Sequence, residues 1–341
     1  MQPTRRALLP ALAALALLPA LLSPALAAGP AASADTAALE ARLRALAEAH
    51  PGQVGIGVRD LAAGTTVLVG GDRAYPMQST YKFPIGAAVL EAVDEGRLRL
   101  DQPVTVTPDQ AAPAHSPLRD RMGGRPVAVT VAELVKLAVG DSDNTASDVL
   151  VELLGGTAAV HGFLERHGIR GMRIDRLERD LQRDATGLPP DARPAGMEGF
   201  AAAVAALPDA AKRRALDTYL ADPRDTATPA AMLDLLEAFN AGRLLSLESM
   251  AHLRRVMTDT PTGRNRLRAG TPEGWTLAHK TGTGFPVAGV APASNDVGIL
   301  YGPAGQAVAV AVFVAASTAP EAERDRLMAE VARAVTGAPS P

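Results

Sequence analysis

Apolar residues recur at helical spacing in several stretches of the chain. Leu39, Leu43 and Leu46 predict an amphipathic helix over residues 36–50, with Asp35 as a candidate N-cap. The same pattern predicts further helices over residues 82–96, 130–155, 229–239 and 319–335. The middle of the chain is therefore expected to be mostly helical.

Short apolar runs bounded by turn residues predict strands near both ends, over residues 53–61, 65–72, 296–302 and 307–317. The economical arrangement is an α+β fold. The terminal strands share one antiparallel sheet, which carries the first and last helices on one face. The central stretch then forms an all-helical domain, and a functional site is expected in the cleft between the two domains.

The predicted boundaries assign residues 28–72 and 259–337 to a discontinuous sheet domain and residues 73–258 to the helical domain. A Pro- and Ala-rich stretch at about 184–222 is predicted to be a loop insertion with room for two short helices. We call it the 184–222 segment.

The first 27 residues have the pattern of an export signal. Arg5 and Arg6 precede an apolar run, and Ala25 and Ala27 are the small residues that a signal peptidase needs. We expect cleavage near Ala27, a periplasmic or secreted product, and no stable membrane anchor after cleavage. The adjacent arginines leave open whether export uses the general or the twin-arginine route.

Composition excludes several classes of function. The formal charge is −3 and aromatic residues make up 3% of the chain, so nothing favours nucleic-acid binding. The chain has no cysteine, which excludes thiol chemistry, and the six histidines form no zinc motif. No cofactor or metal is expected, and a monomer is the default.

Three short motifs carry candidate chemistry. Ser79 and Lys82 lie three residues apart at a predicted helix start, so that the lysine can activate the serine hydroxyl. A second motif is Ser142-Asp143-Asn144, and a third is Lys280-Thr281-Gly282 on a predicted strand. Taken singly, each motif also fits a purely structural role. SxxK can be a helix start with an exposed lysine, SDN a helix cap, and KTG part of an edge strand.

Together, SxxK, SDN and KTG in this order resemble class A serine β-lactamases of the penicillin-binding-protein superfamily. The resemblance covers most of the chain from about Asp35 to Val335. It implies that Ser79 is acylated by a β-lactam substrate, that Lys82 is a base or tunes the proton network, and that Ser142 passes a proton to the leaving nitrogen. It further implies substrate-binding roles for Asn144, Lys280, Thr281, Gly282 and Thr283, the last through an oxyanion hole shared with Ser79.

The stretch DRLERDLQ, residues 175–182, decides between enzymes that only acylate and enzymes that also release the acyl group. In the family a matching segment supplies the deacylating base, and here that residue is Glu178. Arg176 is expected to hold the loop through a salt bridge to Asp225, with Asp191 as the rival partner. The remaining charges, Asp175, Arg179 and Asp180, are expected to face solvent.

The sequence departs from the family at two positions near this base. Gln182 stands where Asn is frequent, and we expect its longer amide to hold the hydrolytic water. Asp148 stands where Asn is frequent too, and an extra acid near Glu178 would raise that residue's pKa or require a compensating cation.

Two assignments rest on position alone. Arg266 is expected to supply a second cation for the substrate carboxylate, and His115 to stand at the mouth of the cleft. The alternatives to a β-lactamase are a D,D-peptidase or esterase of the same superfamily, and a penicillin sensor that turns over once.

Overall fold

The computed structural model describes residues 30–192 and 196–339, without the side chains of residues 30–34. The predicted export signal, residues 1–27, lies outside the described residues. No helix in the described part of the chain has the length and apolar character needed to cross a lipid bilayer.

Five strands form one fully antiparallel sheet: β1 (Gln53–Asp60), β2 (Thr66–Val69), β7 (Thr276–Thr283), β8 (Ala291–Tyr301) and β9 (Ala307–Ser317). Their order is β2-β1-β9-β8-β7, so strands from both ends of the sequence pair at the centre, with Ile56 opposite Val312. Two short antiparallel pairs complete the strands: β3 (Tyr75–Pro76) with β6 (Thr226–Ala227), and β4 (Pro103–Val106) with β5 (Val127–Thr130).

The central strand β9 is buried on both faces, and its successive residues pack alternately into two apolar cores. Its valines, such as Val310 and Val312, pack against the terminal helices. Its alternate residues, including Ala311 and Phe313, pack against the helical core, and Phe313 stacks on Tyr75 with ring centroids 5.9 Å apart. Successive side chains of a strand point to opposite faces, so one strand serves two cores.

The helices are numbered in chain order. They are α1 (Pro30–Glu48), α2 (Lys82–Asp94), α3 (Pro117–Met122), α4 (Val131–Val135), α5 (Asn144–Leu154), α6 (Thr157–Arg166), α7 (Glu178–Thr186), α8 (Gly196–Ala205), α9 (Asp209–Ala221), α10 (Pro229–Asn240), α11 (Leu247–Thr258), α12 (Leu267–Gly270) and α13 (Glu321–Thr336). Helices α1 and α13 cover one face of the sheet, and α10 packs on the other. The predicted α+β class is confirmed.

Two local predictions are wrong. Asp35 does not cap the first helix, because α1 begins at Pro30 and Asp35 lies inside it. The helix predicted over residues 130–155 is not continuous. It runs as α4 and a π-helical turn, Lys136–Gly140, then stops at a turn before α5. That interruption holds the start of the SDN motif, whose Asn144 is the first residue of α5.

The 184–222 segment contains α8 and α9, and its predicted status as an insertion remains a prediction. It has a small apolar cluster of its own, in which Phe200, Val204 and Leu188 pack near Ala114. The Phe200 ring also meets Phe285 edge-on at 5.4 Å, just beyond the end of β7. The segment is thereby attached to the sheet edge beside the KTG motif.

Helix α12 approaches α13 so closely that only glycine fits at Gly270. A Cβ there would lie 1.9 Å from the Ala329 carbonyl oxygen, which is helix backbone and cannot move aside cheaply. We expect Gly270→Ala to lower the free energy of unfolding by about 2 kcal/mol or more. Gly162 in α6 is the matched control, because a Cβ there would make only an ordinary contact with the Arg166 side chain at 3.5 Å, and Ala should stabilise by roughly 0.5–1 kcal/mol. Urea denaturation of both variants tests this; equal effects would contradict the packing argument.

Candidate active site

Ser79 lies in a short 3-10 helix, Gln78–Tyr81, that leads directly into α2. Two contacts hold this segment against the sheet. A Cβ on Gly282 of β7 would come within 2.5 Å of the Met77 carbonyl oxygen, so glycine permits the close approach. The Asn295 side chain on β8 also donates to the Met77 carbonyl at 2.9 Å. The nucleophile candidate is therefore set at the seam between sheet and helices.

Lys82 is fully buried at the start of α2 and connects all parts of the site. Its Nζ lies 3.1 Å from Ser79 Oγ, 2.8 Å from the Ser142 carbonyl and 2.6 Å from Asn144 Oδ1. It also lies 2.9 Å from Glu178 Oε1. One ammonium thus bridges the SxxK motif, the SDN motif and the DRLERDLQ loop.

The SDN motif divides between structure and site. Asp143 is the N-cap of α5 and accepts from Ala146 N, which is the bland role that such a residue often has. Ser142 adopts a left-handed backbone conformation, with φ of 62°. Two residues further on, the Asn144 side-chain oxygen accepts from Lys82 Nζ. Strained non-glycine backbone of this kind persists where surrounding contacts require it.

Lys280 reaches from the edge strand β7 into the same cluster. Its Nζ donates to Ser142 Oγ at 2.8 Å and to the Thr281 carbonyl at 2.9 Å. Burial, and then the nearby positive charge of Lys82, lower the pKa of Lys280 well below its ordinary value. Lys82 thus pairs with Glu178, while the neighbouring Lys280 ammonium contacts a hydroxyl and a carbonyl oxygen.

Glu178 is the first residue of α7 and is fully buried. Besides its contact with Lys82, Oε1 accepts from Ser79 Oγ at 3.4 Å, and Oε2 accepts from Gln182 Nε2 at 2.8 Å. Its carboxylate therefore lies beside the nucleophile candidate, in the position a base would need to act on a water there.

Asp148 of α5 supports the backbone of this loop. Its carboxylate accepts from Glu178 N at 2.6 Å and from Arg179 N at 3.1 Å. Burial, reinforced by the negative charge of Glu178, raises the pKa of Asp148 to about 8. The Arg179 guanidinium lies 3.5 Å from Asp148, so the expectation of a solvent-side Arg179 is wrong. Its positive charge lowers the pKa of Asp148 but does not offset the effect of burial.

Arg176 lies behind the loop, among three carboxylates. Its Nε is 2.6 Å from Asp225, and its Nη1 reaches Asp184 at 2.8 Å and Asp222 at 3.2 Å. Asp225, the expected partner, is the buried one of the three. The structure gives no contact between Arg176 and the rival, Asp191.

Arg266 and His115 both line the cleft, but Arg266 is buried and His115 is exposed. Arg266 is buried, pairs with Asp325 at 2.8 Å and donates to Thr283 Oγ1 at 2.8 Å. Its charge already has an internal partner, and its direct contact is with Thr283. His115 is exposed, and its Nε2 lies 2.9 Å from the Asp141 carbonyl oxygen.

These residues line a cleft of about 610 Å³ between the sheet edge and the helices. The predicted residues in its wall are Ser79, His115, Ser142, Asn144, Gln182, Arg266, Thr281 and Thr283. Sequence reasoning missed Met197 and Phe285 on the same wall, and Gln78 beneath it. Of these three, only Gln78 could have been suspected from the sequence, because it directly precedes Ser79. In the described residues, no group of three or more acidic or histidine side chains is arranged to hold a metal ion.

An α+β fold that brings the SxxK, SDN and KTG motifs together at the edge of its sheet is the arrangement of serine β-lactamases and penicillin-binding proteins. A family model described as "Beta-lactamase enzyme family" matches residues 38–338. The chain therefore belongs to this family, and it is a class A serine β-lactamase, a hydrolase.

Individual relatives agree with this assignment. The chain is 28% identical over 304 residues to β-lactamase VEB-1 of Pseudomonas aeruginosa, covering 88% of this chain and 90% of that protein. It is 32% identical over 336 residues to a β-lactamase of Streptomyces fradiae, covering 97% and 95%. Among solved structures, the ancestral (GNCA) class A β-lactamase matches with a TM-score of 0.71 and 34% identity, covering 88% of this chain and 99% of that chain.

The raised pKa of Asp148 predicts a specific pH dependence of stability. A carboxyl whose pKa is higher in the folded state stabilises the fold when protonated, and this contribution is lost as pH rises from about 4 through about 8. Relative to wild type, Asp148→Asn should therefore gain at least about 1 kcal/mol of unfolding free energy between pH 4 and pH 8. Asp180→Asn, on the exposed side of α7, is the control. Denaturant curves at four pH values test it, and parallel pH profiles for Asp148→Asn and wild type would refute it.

Proposed function

We propose that this protein hydrolyses β-lactams through an acyl-enzyme on Ser79. The Ser79 hydroxyl attacks the lactam carbonyl carbon, and its proton passes to the Lys82–Glu178 pair. The ring C–N bond then breaks, and the leaving nitrogen takes a proton relayed through Ser142. The backbone N–H groups of Ser79 and Thr283 stabilise the developing oxyanion, each donor lowering the barrier by roughly 3–4 kcal/mol.

Deacylation is assigned to Glu178. Its carboxylate takes a proton from a water molecule, and the resulting hydroxide attacks the ester carbonyl. The ester oxygen then leaves and takes that proton back, which regenerates the Ser79 hydroxyl and the Glu178 carboxylate. The observation that carries the proposal is that Glu178 Oε1 lies within 3.4 Å of Ser79 Oγ and 2.9 Å of Lys82 Nζ. A D,D-peptidase or a single-turnover sensor has no need of a buried carboxylate at that point.

The substrate is expected to carry a carboxylate. Lys82 is paired with Glu178, whereas the buried Lys280 Nζ donates to Ser142 Oγ and the Thr281 carbonyl. A carboxylate placed beside Lys280 and Thr281 would favour the charged form of that lysine, whose pKa burial has lowered. Arg266 also contributes to carboxylate binding, indirectly, by donating a hydrogen bond to Thr283 Oγ1. Asn144 is assigned to the substrate amide, Gln182 to the hydrolytic water, and the exposed His115 to the cleft mouth.

The location and assembly of the protein are also proposals. The arginines, apolar run and small residues of positions 1–27 favour export to the periplasm or beyond, with cleavage near Ala27. A monomer without a metal or cofactor suffices for the chemistry above. N-terminal sequencing of the mature protein and its recovery from a periplasmic extract would test the export proposal.

Ser79→Ala and Glu178→Gln separate the two chemical steps. We expect Ser79→Ala to reduce the turnover of a chromogenic cephalosporin by about 10³-fold or more without forming an adduct. Glu178→Gln should still acylate, so mass spectrometry should find the protein heavier by one opened substrate. Glu165→Gln, on an exposed side chain of α6, is the control and should behave as wild type.

Equal turnover in wild type and Glu178→Gln would rule out the role of Glu178. Release of D-alanine from a peptide, with β-lactams acting only as inhibitors, would instead select the peptidase. A stable acyl adduct on the wild-type protein would select the sensor.

Lys280→Met tests recognition of the carboxylate. For a penicillin, kcat/KM should fall by at least about 30-fold, because a buried charge partner is lost. For the methyl ester of the same penicillin, the fall should be much smaller. Lys136→Met, at an exposed position, is the control. An identical loss with acid and ester would show that Lys280 acts only by holding Ser142.

A further inference from the structure

The 184–222 segment touches the proposed base through a chain of hydrogen bonds. Tyr219 of α9 accepts from Gln78 Nε2 at 2.5 Å. The other end of the Gln78 amide, Oε1, accepts from Gln182 Nε2 at 3.3 Å, and the same nitrogen donates to Glu178 Oε2 at 2.8 Å. Tyr219 is therefore connected to Glu178 by two glutamine amides.

All four side chains of this chain of hydrogen bonds are buried. Tyr219 is 3% exposed, Gln78 1%, Gln182 6% and Glu178 0%. Burial raises the pKa of Tyr219, so its hydroxyl stays neutral and its oxygen remains available as an acceptor. Buried polar groups are costly when unpaired, so each member of the chain restricts the orientation of the next.

The Glu178 carboxylate, which can only accept, sets the direction of both amides, and Tyr219 supplies the acceptor at the far end of the chain. With Tyr219 present, the Gln78 NH₂ group faces the tyrosine oxygen and its carbonyl faces Gln182. This leaves Gln182 to present its own NH₂ group to both Gln78 and Glu178. Without the tyrosine oxygen, the Gln78 NH₂ group loses its hydrogen-bond partner, and a buried unpaired donor is costly. The Gln78 amide then shifts more freely, which weakens the contact between its Oε1 and the Gln182 NH₂ group that donates to Glu178.

Several contacts fix the position of Tyr219. The Arg176 guanidinium lies 5.9 Å from the centre of its ring and pairs with Asp222, the residue that follows α9. Helix α9 also packs closely on the end of α7, where a Cβ on Gly187 would come within 2.9 Å of Ala215. The tyrosine is thus tied to the same loop that carries Glu178.

We propose that Tyr219 is a positioning residue for deacylation, which orients the Glu178 carboxylate through Gln78 and Gln182. The inference rests on the proposed role of Glu178 as the base that activates water. It gives the 184–222 segment a function in catalysis, although α9 itself does not touch the Ser79 nucleophile.

Tyr219→Phe removes only the hydroxyl and leaves the ring under Arg176. We expect the deacylation rate constant to fall roughly five- to tenfold, the effect of one hydrogen bond of ordinary strength. Acylation should be unchanged, so kcat/KM, which depends on acylation alone, should stay at the wild-type value. Stopped-flow kinetics and rapid-quench mass spectrometry on a chromogenic cephalosporin measure the two steps separately. A general loss of structure would instead lower kcat/KM and the melting temperature.

Two further variants make the test specific. Tyr301→Phe is the matched control, because Tyr301 also loses a hydroxyl contact, to Asn240, away from the cleft. It should leave both rate constants unchanged. Gln78→Met breaks the chain at its middle, so adding Tyr219→Phe to it should slow deacylation no further.

The possible results separate this inference from the proposed function. Trapping of the acyl-enzyme by Glu178→Gln, combined with wild-type deacylation in Tyr219→Phe, would overturn the role of Tyr219 and leave the function intact. Additive slowing in the double variant would also overturn it, since the two residues would then act separately. Turnover in Glu178→Gln equal to wild type would remove the basis of both.

Discussion

The buried contact between the Lys82 ammonium and the Glu178 carboxylate is the constraint on which the site depends. Both side chains are fully buried, and their charged atoms lie 2.9 Å apart. A single buried charge would be strongly unfavourable, whereas the pair with its further hydrogen bonds is tolerated. Burial of Lys82 by the helical core therefore favours closure of the loop that carries Glu178. The nucleophile and the proposed base come together as a consequence of folding.

Keeping that loop closed requires further buried polar contacts on its far side. Arg176 and Asp225 form the central pair, and Asp148 accepts from the first two backbone N–H groups of α7. These groups would be unpaired at a helix N-terminus without such a partner. The loop is thus held by charges and hydrogen bonds in addition to its buried apolar side chains Ile174 and Leu181. Contacts of this kind hold a carboxylate in one orientation, which a water-activating base requires.

Much of the fold and part of the site could be predicted from local pattern. Apolar periodicity predicted the terminal strands and helices, since burial on one or two faces imposes it directly. The order of the three motifs and the Glu178 loop indicated the family. The contacts of Arg179 could not be predicted, because a charged residue looks the same in sequence whether it faces solvent or a buried acid thirty residues away. Tyr219 had no signal either, since its partner Gln78 lies 141 positions distant.

By itself, the sequence determined the α+β class, the residue types available for chemistry and the family to which they belong. Those properties follow from side-chain chemistry and from periods of two and 3.6 residues, which are local. Only the tertiary structure decided which charges neutralise one another and which polar groups are linked inside the protein. Arg266 contacts Thr283 and pairs with Asp325, and α9 reaches the base through two amides, because burial makes each polar group find whichever partner the fold brings near.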